Sequence, residues 1–318
     1  MAQIRTGDSL LSRNRNSYGR ILKKDFIRNR YVYLMALPLL VYYLLFHYMP
    51  MYGAIIAFKH FAPARGIMGS PWAGIEHFQA FFNSFYFLRV TRNTFFINAL
   101  GLVFGFPAPI ILALLLNEVR SNKFKRTVQT VSYLPHFISI MVICGMLLDF
   151  SSRDGLFNTI LTFFGTERTN LLLRPELFRT IFVGSDIWQG VGWGSIIYLA
   201  ALTGIDPQLY EASRIDGASR WKQTINITLP GILPTIVILL ILRMGQMMNV
   251  GFEKIILLYN PNTYETADVI SSFVYRRGLL ELNYSFSAAV GLFNSLINFI
   301  LLIGANIISR RVNETSLW

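Results

Sequence analysis

Long apolar runs alternate with shorter polar stretches along most of this chain. Six of them, residues 32–56, 94–116, 130–150, 178–202, 232–252 and 284–308, are each long enough to cross about 30 Å of hydrocarbon as a helix rising about 1.5 Å per residue. The pattern predicts an all-α polytopic membrane protein with six transmembrane helices over residues 31–308. Three of the intervening segments, 57–93, 151–177 and 253–283, are long enough to hold structure of their own. Phe78, Phe81, Phe82, Phe85 and Phe87 crowd the first, and Leu156, Ile160, Leu161 and Phe164 give the second a helical period. Both are expected to lie along the membrane interface, as a lid or as simple amphipathic packing.

The connector over residues 204–231 has a different texture. Asp206 suits a helix N-cap, and Pro207 suits the first helical position, where its missing N–H would be orphaned anyway. Leu209, Ala212 and Ile215 recur at near-helical spacing with Gln208, Glu211, Arg214 and Asp216 among them, which predicts a short amphipathic helix. Gly217 ends or bends it, being cheap in left-handed conformations. A second helical stretch, with Trp221 and Ile225 one turn apart, is expected to run until Pro230 breaks it. Neither piece can cross a bilayer, so the hairpin is placed outside it.

Composition strengthens the membrane reading: 53% of the 318 residues are hydrophobic and only 14% are charged, which inverts soluble usage. The net charge of +12 is unevenly spread. With the N-terminus inside, the inner segments hold 17 of the 29 Lys and Arg residues against seven acids (Asp8, Asp25, Glu118, Asp206, Glu211, Asp216 and Glu314). Spans and outer segments together carry the small remainder. The positive-inside rule then puts both termini and the 204–231 hairpin in the cytoplasm. Such charge belongs beside anionic lipid headgroups and gives no argument for nucleic acid. Residues 1–30 form a basic cytoplasmic segment ahead of an uncleaved signal anchor, and 309–318 a cytoplasmic tail. Arg13, Arg15, Arg20, Lys23, Lys24, Arg28 and Arg30 could also make an interfacial helix with Ile21, Leu22, Phe26 and Ile27, although topogenic anchoring is preferred.

Catalytic chemistry finds little support. The single cysteine, Cys144, lies in an apolar run, and His47, His60, His77 and His136 lack the i, i+4 pairing of a zinc site. There is no glycine-rich phosphate loop ending in Gly-Lys-Ser/Thr, so any ATP chemistry falls to another chain. Asp149 and Asp154 are the one close acidic pair near an outer turn, and helix-end solvation accounts for them.

Polar residues inside the later spans fall on defined faces. Ser287, Gly291, Asn294 and Asn298 form one stripe, and Arg243, Gln246, Asn249 and Glu253 are expected to share another. Asp186, Gln189, Gly190, Trp193, Gly194 and Ile197 form a third, with Trp188 and Tyr198 near its edges. Intramembrane charge is expensive, so Arg243 and Asp186 should face the interior or a watery cavity. Two readings stand. Interhelical hydrogen bonding with small-residue packing, as at Gly190 and Gly194, is one. The other is a sugar path, because amides both donate and accept to hydroxyls while aromatic faces stack on pyranose rings.

The stretch Glu211, Ala212, Ser213, then Asp216, Gly217, Ala218, then Leu229, Pro230 resembles the EAA loop of permease subunits from binding-protein-dependent ABC importers. Ser213 stands where the family pattern has a second Ala. Ala36-Leu37-Pro38, the run Met49 to Gly53 with Ile56, Ala57 and Phe58, and Arg243 through Glu253 resemble the LplB-type branch of maltose-class carbohydrate permeases, over nearly the whole chain. The resemblance implies a transport subunit and not an enzyme. It implies a multi-pass protein of a bacterial cell membrane that imports oligosaccharides with a second homologous permease, a cytoplasmic ABC ATPase dimer and an extracytoplasmic solute-binding protein. This chain would bind no cofactor, with ATP and Mg on the ATPase. Leu209, Glu211, Ala212, Ser213, Asp216, Gly217, Ala218, Leu229 and Pro230 would couple to that ATPase. The substrate path would use Asp186, Gln189, Trp193, Arg243, Gln246, Asn249, Asn294 and Asn298. An importer of a non-sugar solute is the nearest alternative. A proton-coupled carrier would show repeated halves and a chain of buried carboxylates, and Asp186 is the main candidate here.

Overall fold

The structure, a computed structural model, describes residues 24–313. The basic cluster at Arg13, Arg15, Arg20 and Lys23, with Ile21 and Leu22, and the last residues of the tail lie outside the described residues. The chain divides into two compact units, Met1–Ile55 and Ile56–Trp318. Among the described residues it is helical, apart from turns and one isolated bridge between Lys59 and Trp72.

The first unit holds most of α1, Arg30–Phe58, which buries no residue from Arg30 to Met51. Its apolar side chains, Met35 at 81% exposure among them, are left for lipid or for another protein. The second unit contains α2 (Glu76–Phe82), α3 (Tyr86–Glu118), α4 (Asn122–Phe137), α5 (Ile140–Ser151) and α6 (Leu156–Thr162). It continues with α7 (Pro175–Leu202), α8 (Pro207–Ile215), α9 (Arg220–Met244), α10 (Phe252–Leu258), α11 (Ile270–Tyr275) and α12 (Tyr284–Asn313).

Four of these helices, α1, α3, α9 and α12, are long and apolar enough to cross a membrane. A fifth candidate is a bent pair: α4 and the α5–α6 segment meet at 98°, inside the run expected as the third span. Pro135 in the last turn of α4 and Ser139, whose hydroxyl caps α5 at Val142 N, set the break. The fourth expected span is α7, whose 28 residues are long enough. Asp186 and Gln189 lower its apolar character, and it is not among the four.

Proline does not end the helices where simple reading says it should. Pro50, Pro107 and Pro230 each follow by two residues the end of a π-helical segment, Leu44–Tyr48, Gly101–Gly105 and Thr224–Thr228. A proline ring presses on the carbonyl four residues back and offers no N–H. A wider i→i+5 turn just ahead shifts the hydrogen-bond register and lets the helix pass. The expected break at Pro230 is therefore absent, and α9 runs through it. That helix instead stops at Met244, so the face expected for Arg243, Gln246, Asn249 and Glu253 is divided among a helix end, a turn and α10.

Of the phenylalanines in the first long loop, Phe81 turns into the protein. Phe81 is fully buried against Phe87, Phe273, Phe286 and Phe293, which seats α2 on α11 and α12. Nearby, Asp268 is enclosed. Arg276 grips it with Nη1–Oδ1 at 2.8 Å and Nη2–Oδ2 at 2.6 Å, and Ser272 Oγ donates to it at 2.8 Å. Burial opposes the Arg276 charge, but the hydrogen bonds and charge of Asp268 outweigh it and hold the guanidinium above its ordinary pKa. Asn93 of α3 adds bonds to the Glu265 and Asp268 carbonyls and accepts from Arg179 of α7, fastening this outer segment to two long helices.

Close packing of α7 rests on glycine. A Cβ on Gly192 would lie 2.0 Å from the Ser132 carbonyl oxygen of α4, and one on Gly194 would meet Pro109 of α3 at 3.0 Å. Gly190, expected to pack with Gly194, has nothing within 4 Å. Gly192→Ala should therefore cost at least the ~1–3 kcal/mol typical of overpacking, while Gly190→Ala leaves stability nearly unchanged. Thermal unfolding of the two variants in detergent checks this. Equal melting temperatures would contradict the contact.

Candidate functional site

Helices α3, α7 and α9 and the turn after α9 enclose a cavity of about 750 Å³, within the about 300–1,000 Å³ usual for small-molecule sites. Five of the residues expected in a substrate path line it: Asp186 and Gln189 from α7, Arg243 from α9, and Gln246 and Asn249 from the turn. Gly190, Gly194, Ile197 and Tyr198 continue the α7 wall. The other three stand apart. Trp193 is stacked on His136, with ring centroids 4.5 Å apart and planes 2° from parallel, so it backs a lining residue and is not itself one. Asn294 and Asn298 of α12 support the wall through Asn249.

That support is a relay of amides. Asn249 Oδ1 accepts from Asn294 Nδ2 at 3.0 Å and from Asn298 Nδ2 at 3.2 Å, while its own Nδ2 donates to Gln246 Oε1 at 2.6 Å. Asn298, buried, also accepts the Met248 backbone N–H at 2.8 Å. In the turn 245–249 the other N–H groups bond backbone carbonyls, and Asn298 supplies the acceptor that Met248 N–H would otherwise lack. The rest of the α12 stripe faces elsewhere. Ser287 and Gly291, beside Asn294 of the relay, line a smaller cavity of about 510 Å³ against α11, and Trp188 lines an apolar one of about 620 Å³ with Leu156 and Ile160.

Lys254 was not singled out from the sequence. Its ammonium is buried on α10 and spends its three protons on Asp186 Oδ1 at 2.5 Å, Ser185 Oγ at 2.8 Å and the Phe182 carbonyl at 3.1 Å. The Asp186 side chain remains half exposed to the cavity. His136, which lacks the pairing of a zinc site, lines the cavity, as does Asn98, whose Nδ2 bonds the Thr94 carbonyl and which lies in an otherwise apolar span. A single lysine inside the apolar stretch Phe252–Leu258 was the one local signal for the ion pair.

The hairpin between α7 and α9 folds as its caps direct. Asp206 Oδ1 accepts from Gln208 N at 2.9 Å, Gly217 takes φ of +72°, and Ser219 caps the next helix at Lys222 N. Tyr210 Oη meets Thr228 Oγ1 at 3.0 Å, Gln223 reaches the Ala218 carbonyl, and Arg220 Nη1 bonds Glu118 of α3 at 2.7 Å. A Cβ on Gly231 would collide with Ile205, so α9 sits close on the end of α7. Leu209, Glu211, Ala212, Asp216, Gly217, Leu229 and Pro230 are exposed, and Ser213 and Ala218 are half-buried. Ile215 is 88% exposed, so the braced hairpin presents an apolar face with no partner among the described residues.

Residues 105–314 match the family described as "Binding-protein-dependent transport system inner membrane component". The chain belongs to that family. As a permease it is 44% identical to the polygalacturonan/rhamnogalacturonan transport system permease protein YteP of Bacillus subtilis (strain 168), over 94% of this chain and 93% of that protein. It is 42% identical to Protein LplB of the same organism, over 92% of each. Among solved structures, the permease superposes with a TM-score of 0.85 on a chain from a bacterial ABC transporter involved in the import of the acidic polysaccharide alginate. That likeness carries 45% identity and covers 92% of this chain and 99% of the other.

The Lys254–Asp186 pair gives a testable energetic signature. Asp186→Ala leaves a buried ammonium uncompensated and should cost about 3–5 kcal/mol. Adding Lys254→Met should restore most of that loss, because the apolar replacement needs no partner. Thermal unfolding of the single and double variants measures the coupling. Additive losses would contradict the pairing.

Proposed function

We propose that this permease is one subunit of an ATP-driven, binding-protein-dependent importer of oligosaccharides. The observation that carries the reading is mechanical: the exposed α8 hairpin is braced to α9 and the end of α7, two of the helices whose side chains wall the polar cavity. A partner that moves α8 moves those walls. Leu209, Tyr210 and Ile215 supply apolar anchoring, Glu211 a charge for a basic partner, and Ala212, Ser213 and Ala218 allow close approach. A cytoplasmic ABC ATPase dimer carrying ATP and Mg is that partner. Its closure draws the hairpin of this chain toward that of a second, homologous permease and turns the cavity from inward-facing to outward-facing. Hydrolysis resets it.

Six crossings follow if α1, α3, the bent pair, α7, α9 and α12 each span the bilayer, with both termini and the hairpin 204–231 cytoplasmic. The excess of Lys and Arg on that side supports the orientation. An extracytoplasmic solute-binding protein delivers the ligand. The saccharide reading draws on the relatives' named substrates and on the lining itself, where Gln189, Gln246 and Asn249 offer amides and His136 an aromatic ring. The ion pair of Asp186 with Lys254 weighs against a proton carrier, because its carboxylate is engaged by a fixed cation.

Glu211→Lys should lower saccharide uptake and binding-protein-stimulated ATPase activity by more than about tenfold, an effect the size of a lost charged contact. The amount of chain in the membrane should not change. Assay of the complex reconstituted in lipid, with its ATPase and loaded binding protein, makes the test. Wild-type uptake by the variant would contradict the docking role.

A further inference from the structure

We infer that Arg243 is the specificity-determining residue that fits the cavity to an oligosaccharide bearing carboxylates. The inference rests on the oligosaccharide-import reading and adds to it the charge of the cargo and the group that reads it. Two formally charged side chains line the cavity, Asp186 and Arg243. Asp186 is already answered by Lys254 at 2.5 Å. Arg243 is half-buried and makes no hydrogen bond or ion pair with any described residue. The pair cancels, and the cavity keeps one unmatched positive charge.

An unmatched guanidinium at membrane depth is costly, and such residues mark substrate paths. The backbone has been cleared for this one. A Cβ on Gly101 would stand 3.1 Å from Arg243 Nη2, and Gly101 begins the π-helical segment of α3, a kind of irregularity frequent at functional sites. The planar fork of an arginine matches a carboxylate through two parallel N–H···O bonds. Gln246 lies three residues on, with its Oε1 taken by Asn249 and its amide N–H groups left to a ligand. Together they suit a sugar ring that carries both a carboxylate and hydroxyls, which is a uronic acid residue. A free phosphate or a lipid headgroup also accepts from a guanidinium and an amide N–H, so competition by inorganic phosphate separates these sources from the sugar acid.

Equilibrium binding of labelled trigalacturonate, its methyl ester, maltotriose and inorganic phosphate to the assembled transporter in nanodiscs, without binding protein, tests this. For the acid, Arg243→Gln should weaken binding on the order of 10- to 100-fold, the worth of a charge-assisted bond. Arg243→Lys should retain part of it. Gly101→Ala, a mild change within a helix, should weaken the acid by displacing the guanidinium, and the ester should bind wild type and variants alike. Equal loss of acid and ester in Arg243→Gln would make Arg243 a structural residue and overturn the inference. So would unaltered acid binding, tighter binding of maltotriose than of the acid by wild type, or displacement of the acid by phosphate at equal concentration. Failure of wild type to bind any of the three saccharides would instead overturn the oligosaccharide reading beneath it.

Discussion

The Lys254 ammonium, enclosed and shared among Asp186, Ser185 and the Phe182 carbonyl, ties α10 back onto α7. Charge taken out of water is tolerated only when paired and hydrogen-bonded. Here the pairing fixes the turn after α9, because α10 follows it within a few residues. That turn carries Gln246 and Asn249, and the amide relay from α12 holds it from the other side. The cavity wall is thus a loop clamped between an ion pair and a set of asparagines. It is polar enough to face water and rigid enough to present fixed donors.

The second organising constraint is passage of helices through proline. In each of α1, α3 and α9 a π turn precedes the ring and keeps the helix going. Two consequences reach the functional regions. The π segment of α3 brings Gly101 against Arg243, and that of α9 brings Thr228 within reach of Tyr210, which braces the 204–231 hairpin.

Much of this was legible from the residues. Apolar runs located α1, α3 and α12, and Asp206, Pro207 and Gly217 fixed the hairpin helix because caps and left-handed glycines act locally. The bend at Ser139 was not legible, because hydropathy averages over the short break that Pro135 and a serine cap introduce. Nor was the early end of α9, where polar residues at helical spacing imitate a continued face. The joining of Asn249 to Asn298, 49 residues apart, is a tertiary choice that no local pattern encodes. The polarity that let Asp186 and Gln189 be named as path residues is also what removes α7 from the helices apolar enough to cross on composition alone.

The central claim is that the hairpin and the cavity move as one body. It is tested most directly by cysteine accessibility. Gly190 lines the cavity and has open space where a side chain would grow, and the one native thiol, Cys144, is buried. In the assembled transporter carrying Gly190→Cys and Cys144→Ala, a membrane-impermeant thiol reagent should label from the cytoplasmic side at rest. After ATP and vanadate trap the closed ATPases, labelling should switch to the outer side. Labelling from the same side in both states would contradict the account.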